Sequence, residues 1–421
     1  MRFIHCSDLH LDSPLLGLER YPGVPAAAMR AATRGALENL VRIAIEQAVD
    51  LVAIAGDVFD GNWPDFNSGL FFASRLARLR EADIRVVLVR GNHDAESQIT
   101  KSLRLPDNVT ILDHKHPQTI TVDNLGLAVH GQSFADRAVP NDLAAAYPEA
   151  IPGLYNIGML HTSMGGYPEH ATYAPTTLDV LRSKGYDYWA LGHVHARAIL
   201  AEHPRVVFSG NTQGRHAREL GPKGCELVTV DESRATAAEF VELDVVRWTQ
   251  VHIDIAGLRD LDALIDSAHT AILEAHHNAA DRLVAVRVAL TGVGALHSVL
   301  ASDPEKVIAE LRATATDATD GAAWIEKIAF STRPAYDRDA LARRDDPIAE
   351  LLRLTRAIEA VPANLEAMAH EALDDLVFKL PPEARSGEGA LRLDDPERLR
   401  ALLDAAEGSL LALLSQEGTA R

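Results

Sequence analysis

The stretch Leu51-Val-Ala-Ile-Ala-Gly-Asp-Val-Phe-Asp60 decides the fold. Its first five residues are an unbroken apolar run, the pattern of a strand buried on both faces. The run stops at Gly56, and Asp57 follows where the chain must leave the sheet. A carboxylate at the end of a buried strand is costly unless something pairs with it. One reading makes Asp57 a helix N-cap or a turn aspartate. The other gives it a cation at the carboxyl edge of an α/β sheet, where such folds place ligands. The neighbouring segments bear on that choice.

Upstream, residues 2–7 read as a first strand with Asp8-Leu-His10 at its end. In an extended segment, residues two apart point to one side, which groups Asp8 with His10. Asp12-Ser-Pro14 reads as a turn and residues 26–49 as a helix, giving a strand–helix–strand start. Downstream, a helix over 68–81 leads to a strand over 84–89 that ends in Gly91-Asn-His-Asp94. The amide oxygen of Asn92 is a suitable hard ligand, and His93 could ligate or act as a general acid. Three consecutive strands now end in oxygen or nitrogen donors, which favours a metal site.

Residues 109–112, 119–122 and 125–130 read as short β segments and suggest a second, more antiparallel sheet. Residues 156–161 form an apolar strand ending in His161, which alone could equally be a core histidine. Residues 186–191 lead into Gly192-His-Val-His195, again a same-side pair, with a glycine that permits close backbone approach. Residues 205–209 and 224–230 read as closing strands. Asp8, His10, Asp57, Asn92, His161, His193 and His195 each follow an apolar run. This mixed nitrogen and oxygen set, with no thiolate, suits two divalent ions such as Mn²⁺ better than a structural zinc.

The 421 residues predict two or three domains. Cys6 and Cys225 are the only cysteines, too few for a disulfide framework or thiolate cluster, which fits a reducing compartment. The chain shows neither a signal-peptide pattern at Met1–Ser7 nor an apolar run long enough to cross a bilayer, so a cytoplasmic protein is expected. The net charge of −19 argues against a broadly basic nucleic-acid surface. Residues 1–240 carry 22 basic and 28 acidic side chains, a balance of −6; residues 241–421 carry 19 and 32, a balance of −13. The acidity therefore lies mainly in the second part, and bound cations would offset some of it at a site. Arg215, His216 and Arg218 form a local basic group in a Gly-rich loop, either a phosphate or DNA-backbone contact or a solvated loop.

The ordered set Asp-x-His (8–10), Gly-Asp-x-x-Asp (56–60), Gly-Asn-His-Asp (91–94), His161 and Gly-His-x-His (192–195) resembles the signature of the calcineurin-like metallophosphoesterase superfamily. The resemblance covers about residues 1–230. Ser7-Asp-Leu-His-Leu-Asp-Ser13 resembles the opening of SbcD-type DNA repair nucleases. Ser209-Gly-Asn-Thr-Gln-Gly-Arg-His-Ala-Arg-Glu-Leu-Gly-Pro-Lys-Gly-Cys225 resembles the bacterial YhaO-like branch. The resemblance implies an α/β protein: a two-sheet β-sandwich flanked by helices, a small α/β cap domain and a helical C-terminal region. It implies that Asp8, His10, Asp57 and His195 hold one ion and Asp57, Asn92, His161 and His193 the other, with Asp57 bridging. His93 is then catalytic beside the phosphate, Asp94 orients it, and Asp60 is structural. The implied activity is a 3′→5′ DNA exonuclease with single-strand endonuclease activity, working in repair with an SbcC-like coiled-coil ATPase and forming a homodimer. The same ions would also serve a small-molecule phosphodiesterase or phosphatase, for instance of cyclic nucleotides. A third reading is a DNA-end tether with secondary catalysis.

After Glu242 the pattern restarts. Strands over 248–255, 283–290 and 324–330 alternate with helices over 258–276 and 304–314. The expected domains are 1–242 (nuclease), 246–333 (α/β cap) and 336–421 (helical, with segments 348–361, 365–378 and 396–414). The helices of the last region either pack on one another or dock the ATPase partner. The chain has no P-loop, so any ATP-driven step belongs to another chain. His276-His277 invites a metal reading, but an adjacent pair shares no helix face, so the pair is not expected to hold an ion. Residues 381–389 read as a linker.

Overall fold

The central apolar run forms β2 (Leu51–Ala55), buried at all five positions. Strand alternation sends Val52 and Ile54 to a face covered by α1 (Ala26–Glu46) and α2 (Phe66–Glu81), while Leu51 and Ala53 face a second sheet. The computed structural model describes residues 1–13, 23–61, 66–96, 103–165, 173–280, 282–335, 338–380, 393 and 395–418. The expected linker over 381–389 and Pro14 of the first turn lie outside these residues.

The first sheet has the order β12-β11-β1-β2-β3-β4. β1 (Arg2–Cys6), β2, β3 (Arg85–Val89) and β4 (Val109–Ile111) are parallel, and β11 (Gly224–Val230) runs antiparallel to β1 and to β12 (Thr236–Glu242). The second sheet joins β5 (Gln118–Val122), β6 (Leu127–Gly131), β7 (Tyr155–His161), β8 (Tyr188–Gly192), β10 (Arg205–Phe208) and β9 (Ala198–Glu202) in that spatial order. Its four inner strands are parallel; β5 and β9 alone run against them. The expectation of a more antiparallel sheet is thus corrected. The pairs β5–β6 and β10–β9 form its two antiparallel edges, whereas long connections over 132–154 and 162–187 permit parallel crossovers. β7 and β8 are buried throughout, as parallel strands are. Edge strands β9 and β12 were not expected from the sequence; both are largely half-exposed.

Phe3, Val87 and Val89 of the first sheet meet Ile157, Met159, Tyr188 and Val207 of the second in one apolar core. A short helix, α3 (Asn92–Glu96), follows β3. Trp189, Leu191, Val206 and Phe208 form another cluster on the far side of the second sheet, with Leu181 from α4 (Leu178–Ser183). Truncating one such aliphatic residue to alanine costs about 2–5 kcal/mol, enough to hold the strand ends in register.

The chain divides into two compact units. The first contains Met1–Gln250, Ala275–Val286 and Ala322–Glu326, and so holds both large sheets. In it Met29 and Ala32 of α1 pack with Val246, Trp248, Ala285 and Trp324. The second contains Val251–Glu274, Arg287–Gly321 and Lys327–Arg421. The strands of a third sheet, β13 (Val246–Asp254), β14 (Leu283–Gly294) and β15 (Ala323–Pro334), are divided between the two. Among the described helices, α5 (Leu261–Asn278), α6 (His297–Ser302) and α7 (Pro304–Ala318) precede the C-terminal set of α8 (Arg338–Ala342), α9 (Pro347–Glu359), α10 (Pro362–Lys379) and α11 (Pro396–Gly418). Leu365 and Ala369 of α10 pack with Leu399 and Leu403 of α11. Buried Glu407 of α11 takes the Arg338 guanidinium of α8 at 2.5 Å. His276 and His277 end α5, and His276 Nδ1 lies 3.1 Å from the Arg282 carbonyl. No helix among the described residues is long and apolar enough to cross a membrane.

Candidate metal centre

Strands β1, β2 and β3 of one sheet and β7 and β8 of the other end at a common edge, and the expected ligands lie there. They arrive by turning off the sheet. Asp8 (φ 52°), His10 (φ 44°), Asp57 (φ 54°) and His193 (φ 101°) all have positive φ. The expected same-side arrangement of Asp8 and His10 in an extended segment is therefore corrected. The chain leaves β1 at Cys6, and Asp8, His10 and Leu11 donate backbone hydrogen bonds to the carbonyls of Gly56, Asp57 and Val58. Backbone held in this region costs on the order of 1–3 kcal/mol per residue and persists only where its surroundings impose it. Two glycines make room: a Cβ on Gly91 would sit 2.2 Å from Asp57 Oδ1, and one on Gly192 would sit 1.9 Å from the Ala55 carbonyl oxygen.

His10 Nε2 and His195 Nε2 are 3.2 Å apart. Asp8 Oδ1 is 3.7 Å from His195 Nε2 and 4.0 Å from His10 Nε2. On the other side, His161 Nε2 lies 2.9 Å from Asn92 Oδ1 and 3.4 Å from Asp57 Oδ2. Asp57 Oδ2 is also 4.0 Å from His10 Nε2, so this carboxylate stands between the two groups. The His193 ring packs edge-on to His161 with centroids 5.2 Å apart, and its backbone N–H donates to the Asp8 carboxylate at 3.0 Å.

These residues fit a pair of divalent cations. Donors sharing an octahedral ion at about 2.1 Å stand roughly 3 Å apart along an edge, near the spacings seen here. Several carboxylate and ring atoms lie too far apart for good hydrogen bonds yet converge in a largely buried cluster. Burial lowers the pKa of His161, but the charge and hydrogen bond of Asp57 overcome this and lift it to about 9. Burial raises the pKa of Asp57; His161, His10 and His93 outweigh it and hold the carboxyl far below the usual range. The centre calls for positive charge, and a cation supplies it with the histidines neutral.

His93 stands beside this cluster with its side chain 31% exposed. Its Nδ1 lies 2.9 Å from Asp60 Oδ1, and its backbone N–H donates to Asp57 Oδ1. Burial opposes protonation of His93, but Asp60, by hydrogen bond and charge, together with Asp57 raises its pKa above the usual value. The expected pairing with Asp94 is corrected. The Asp94 carboxylate accepts backbone N–H groups of Val58, Phe59 and Gly91, bracing the two loops, and Asp60 takes the orienting place. Burial, then the charge of Asp57, pushes the Asp94 carboxyl up to about 6.

The Gly-rich loop after β10 closes the opposite side. Arg215 Nη1 is 3.6 Å from Asp60 Oδ2, and Nη2 is 3.2 Å from His195 Nδ1. His195 Nδ1 is 2.7 Å from Glu219 Oε1. His216 and Arg218 are exposed; His216 Nε2 lies 3.6 Å from Glu219 Oε1. The structure brings Arg215 to the centre and leaves the other two at its rim.

Residues 1–197 match the family described as calcineurin-like phosphoesterase. The chain carries a metallophosphoesterase domain of this family. Residues 248–333 match the family described as metallophosphoesterase YhaO, middle domain. The metallophosphoesterase YhaO of Bacillus subtilis is 35% identical over 268 residues, 63% of this chain and 65% of its own length. The DNA double-strand break repair protein Mre11 of Methanopyrus kandleri is 24% identical over 295 residues, 62% of this chain and 60% of its own. That of Saccharolobus solfataricus is 27% identical over 213 residues, 48% of this chain and 51% of its own. The chain thus spans less than two thirds of these relatives.

The phosphoesterase domain is a phosphoester hydrolase of a family that uses a dinuclear divalent-metal site, and candidate ligand clusters for such a site are present. Of the expected ligands, Asp8, His10, Asp57, His161 and His195 belong to these clusters, as do Asp60 and His93, while Asn92 and His193 adjoin His161. Sequence reasoning passed over Glu219, although it stands inside the quoted Ser209–Cys225 segment; its only signal was an acid among Arg215, His216 and Arg218.

Proposed function

We propose that the phosphoesterase site hydrolyses DNA phosphodiester bonds from a 3′ end, with endonuclease activity on single strands, using two Mn²⁺ ions. Asp8, His10, Asp57 and His195 would hold one ion, and Asp57, Asn92, His161 and His193 the other. When bound, the ions neutralise the phosphodiester and make hydroxide available near neutral pH. The observation that carries this reading is that the His93 ring and the Arg215 guanidinium both meet Asp60 at the exposed side of the buried ligand cluster. His93 uses Nδ1 to hold Asp60, which leaves Nε2 to give a proton to the departing 3′ oxygen as the P–O bond breaks. Arg215 offers its guanidinium to a non-bridging phosphate oxygen, with His216 and Arg218 reaching the DNA backbone further out. The name and similarity of the Mre11 relatives support DNA as the substrate.

In this reading residues 1–242 are the nuclease domain, 246–333 select the DNA end, and 336–421 dock an SbcC-like coiled-coil ATPase. The protein works in the cytoplasm, in DNA repair, as a homodimer. The match of 248–333 to a family of its own supports the middle division. The test is Mn²⁺-dependent release of nucleotides from end-labelled single- and double-stranded DNA, with Asp57→Ala as control. Bis-p-nitrophenyl phosphate and cyclic nucleotides run in parallel. Release from DNA that the control abolishes is the expected result; turnover of the small diesters alone would contradict the DNA assignment. Structure-selective binding of DNA ends without cleavage would favour the tether.

A further inference from the structure

We propose that Glu219 is a positioning residue of the metal centre: its carboxylate fixes which nitrogen of His195 faces the metal and anchors Arg215 beside Asp60. The inference rests on the reading of His195 as a metal ligand. Glu219 is 6% exposed and lies on the far side of the His195 ring from the cluster. Its Oε1 lies 2.7 Å from His195 Nδ1, and Arg215 Nη2 lies 3.2 Å from both that nitrogen and Oε1. The shorter contact is to a carboxylate, which can only accept, so Nδ1 carries the proton, Nη2 gives its hydrogen to Oε1, and Nε2 is left with its lone pair. Nε2 is the atom 3.2 Å from His10 Nε2 and 3.7 Å from Asp8 Oδ1. A carboxylate behind a histidine in this way sets its tautomer and raises its basicity as a ligand.

The carboxylate is itself fixed. Oε2 accepts the Arg215 backbone N–H at 2.7 Å and Asn211 Nδ2 at 2.9 Å, and Oε1 also receives Arg215 Nη2 at 3.2 Å. His195 is gripped through its backbone too, its carbonyl accepting the Asn211 N–H at 3.2 Å and Lys223 Nζ at 3.3 Å. The loop around Glu219 is pinned to the start of β13. Gln213 Oε1 accepts the N–H of Val245 and Val246, and Trp248 Nε1 donates to the Gly214 carbonyl.

The test is Mn²⁺ binding by isothermal titration calorimetry, with thermal unfolding of the same samples, for wild type, His195→Ala, Glu219→Ala and Glu219→Gln. The expected result is a loss of about 100-fold in affinity at one of the two sites for Glu219→Ala. Glu219→Gln, which keeps an acceptor oxygen but not the charge, should lose about 10-fold at that site, and the other site should be unchanged. Should Glu219→Ala fail to fold, the isosteric Gln variant decides by the same criterion. Wild-type affinity in the Glu219 variants beside a weakened His195→Ala, or equal weakening of both sites, would overturn the positioning role. An unweakened His195→Ala would instead remove the ligand assignment beneath it, a distinct result.

Discussion

The two halves of the metal centre differ in their access to water. Asp8, His10, Asp57, Asn92 and His161 form an inner half, each exposed by 3% or less. His93, His195, Asp60 and Arg215 form an outer half whose side chains are 31%, 28%, 20% and 14% exposed. The same chemistry therefore has two uses. A buried carboxylate with no water must be matched by a cation or a proton, so the inner half is a receptacle. The outer half can reach a substrate and exchange protons, and there each histidine is backed by a carboxylate: His93 by Asp60, His195 by Glu219.

That division can be broken experimentally. The largest effect short of losing the metal is expected at His93. His93→Gln should lower kcat by about 10²–10⁴-fold while the number of bound Mn²⁺ ions stays the same, as steady-state kinetics and metal analysis on one preparation would show. Loss of metal in that variant would place His93 among the ligands and erase the distinction between the halves.

A second test contrasts two fully buried histidines. His161 is lifted to about 9 beside Asp57, whereas burial lowers His5 to about 4 despite the charge of Glu226. The His5 ring fits the neutral form, with Nδ1 3.0 Å from the Tyr188 hydroxyl and Nε2 3.1 Å from the Leu191 carbonyl. Its pKa is lower in the folded than in the unfolded chain, so its contribution is present above pH 6.5 and is lost as pH falls from 6.5 through 4. The loss reaches up to about 3 kcal/mol. Urea unfolding across this window should show a shallower acid loss for His5→Gln than for wild type; parallel curves would contradict the assignment.

The smallest effect is expected at Arg215. Arg215→Ala should raise KM for a diester about 10-fold, the worth of one charge-assisted hydrogen bond, with kcat less affected. A change in kcat alone would move Arg215 from binding to transition-state stabilisation.

The residues that converge at the centre were legible because each expected ligand follows an apolar run, and a polar group just past a buried strand is conspicuous. Strand ends show where a side chain enters a site and say little about what it touches. Asp60 and Asp94 are each near His93 in sequence, and only the path of the loop decides that Asp60 pairs with the ring while Asp94 binds backbone N–H groups. Glu219 was hidden for the same reason, since its partner His195 is 24 residues away. The positive φ of Asp8 and His10 arises from hydrogen bonds to Gly56 and Asp57, contacts between segments that no local pattern encodes. Strand direction in the second sheet depended likewise on connection length more than on the strands themselves.

The most direct measurement is the number of divalent ions bound by wild type and by Asp57→Ala. Titration calorimetry with Mn²⁺ should give two ions per chain for wild type, and loss of tight binding at both sites when the shared carboxylate is removed. A single ion in wild type, or two tightly held ions in Asp57→Ala, would contradict the shared two-metal centre.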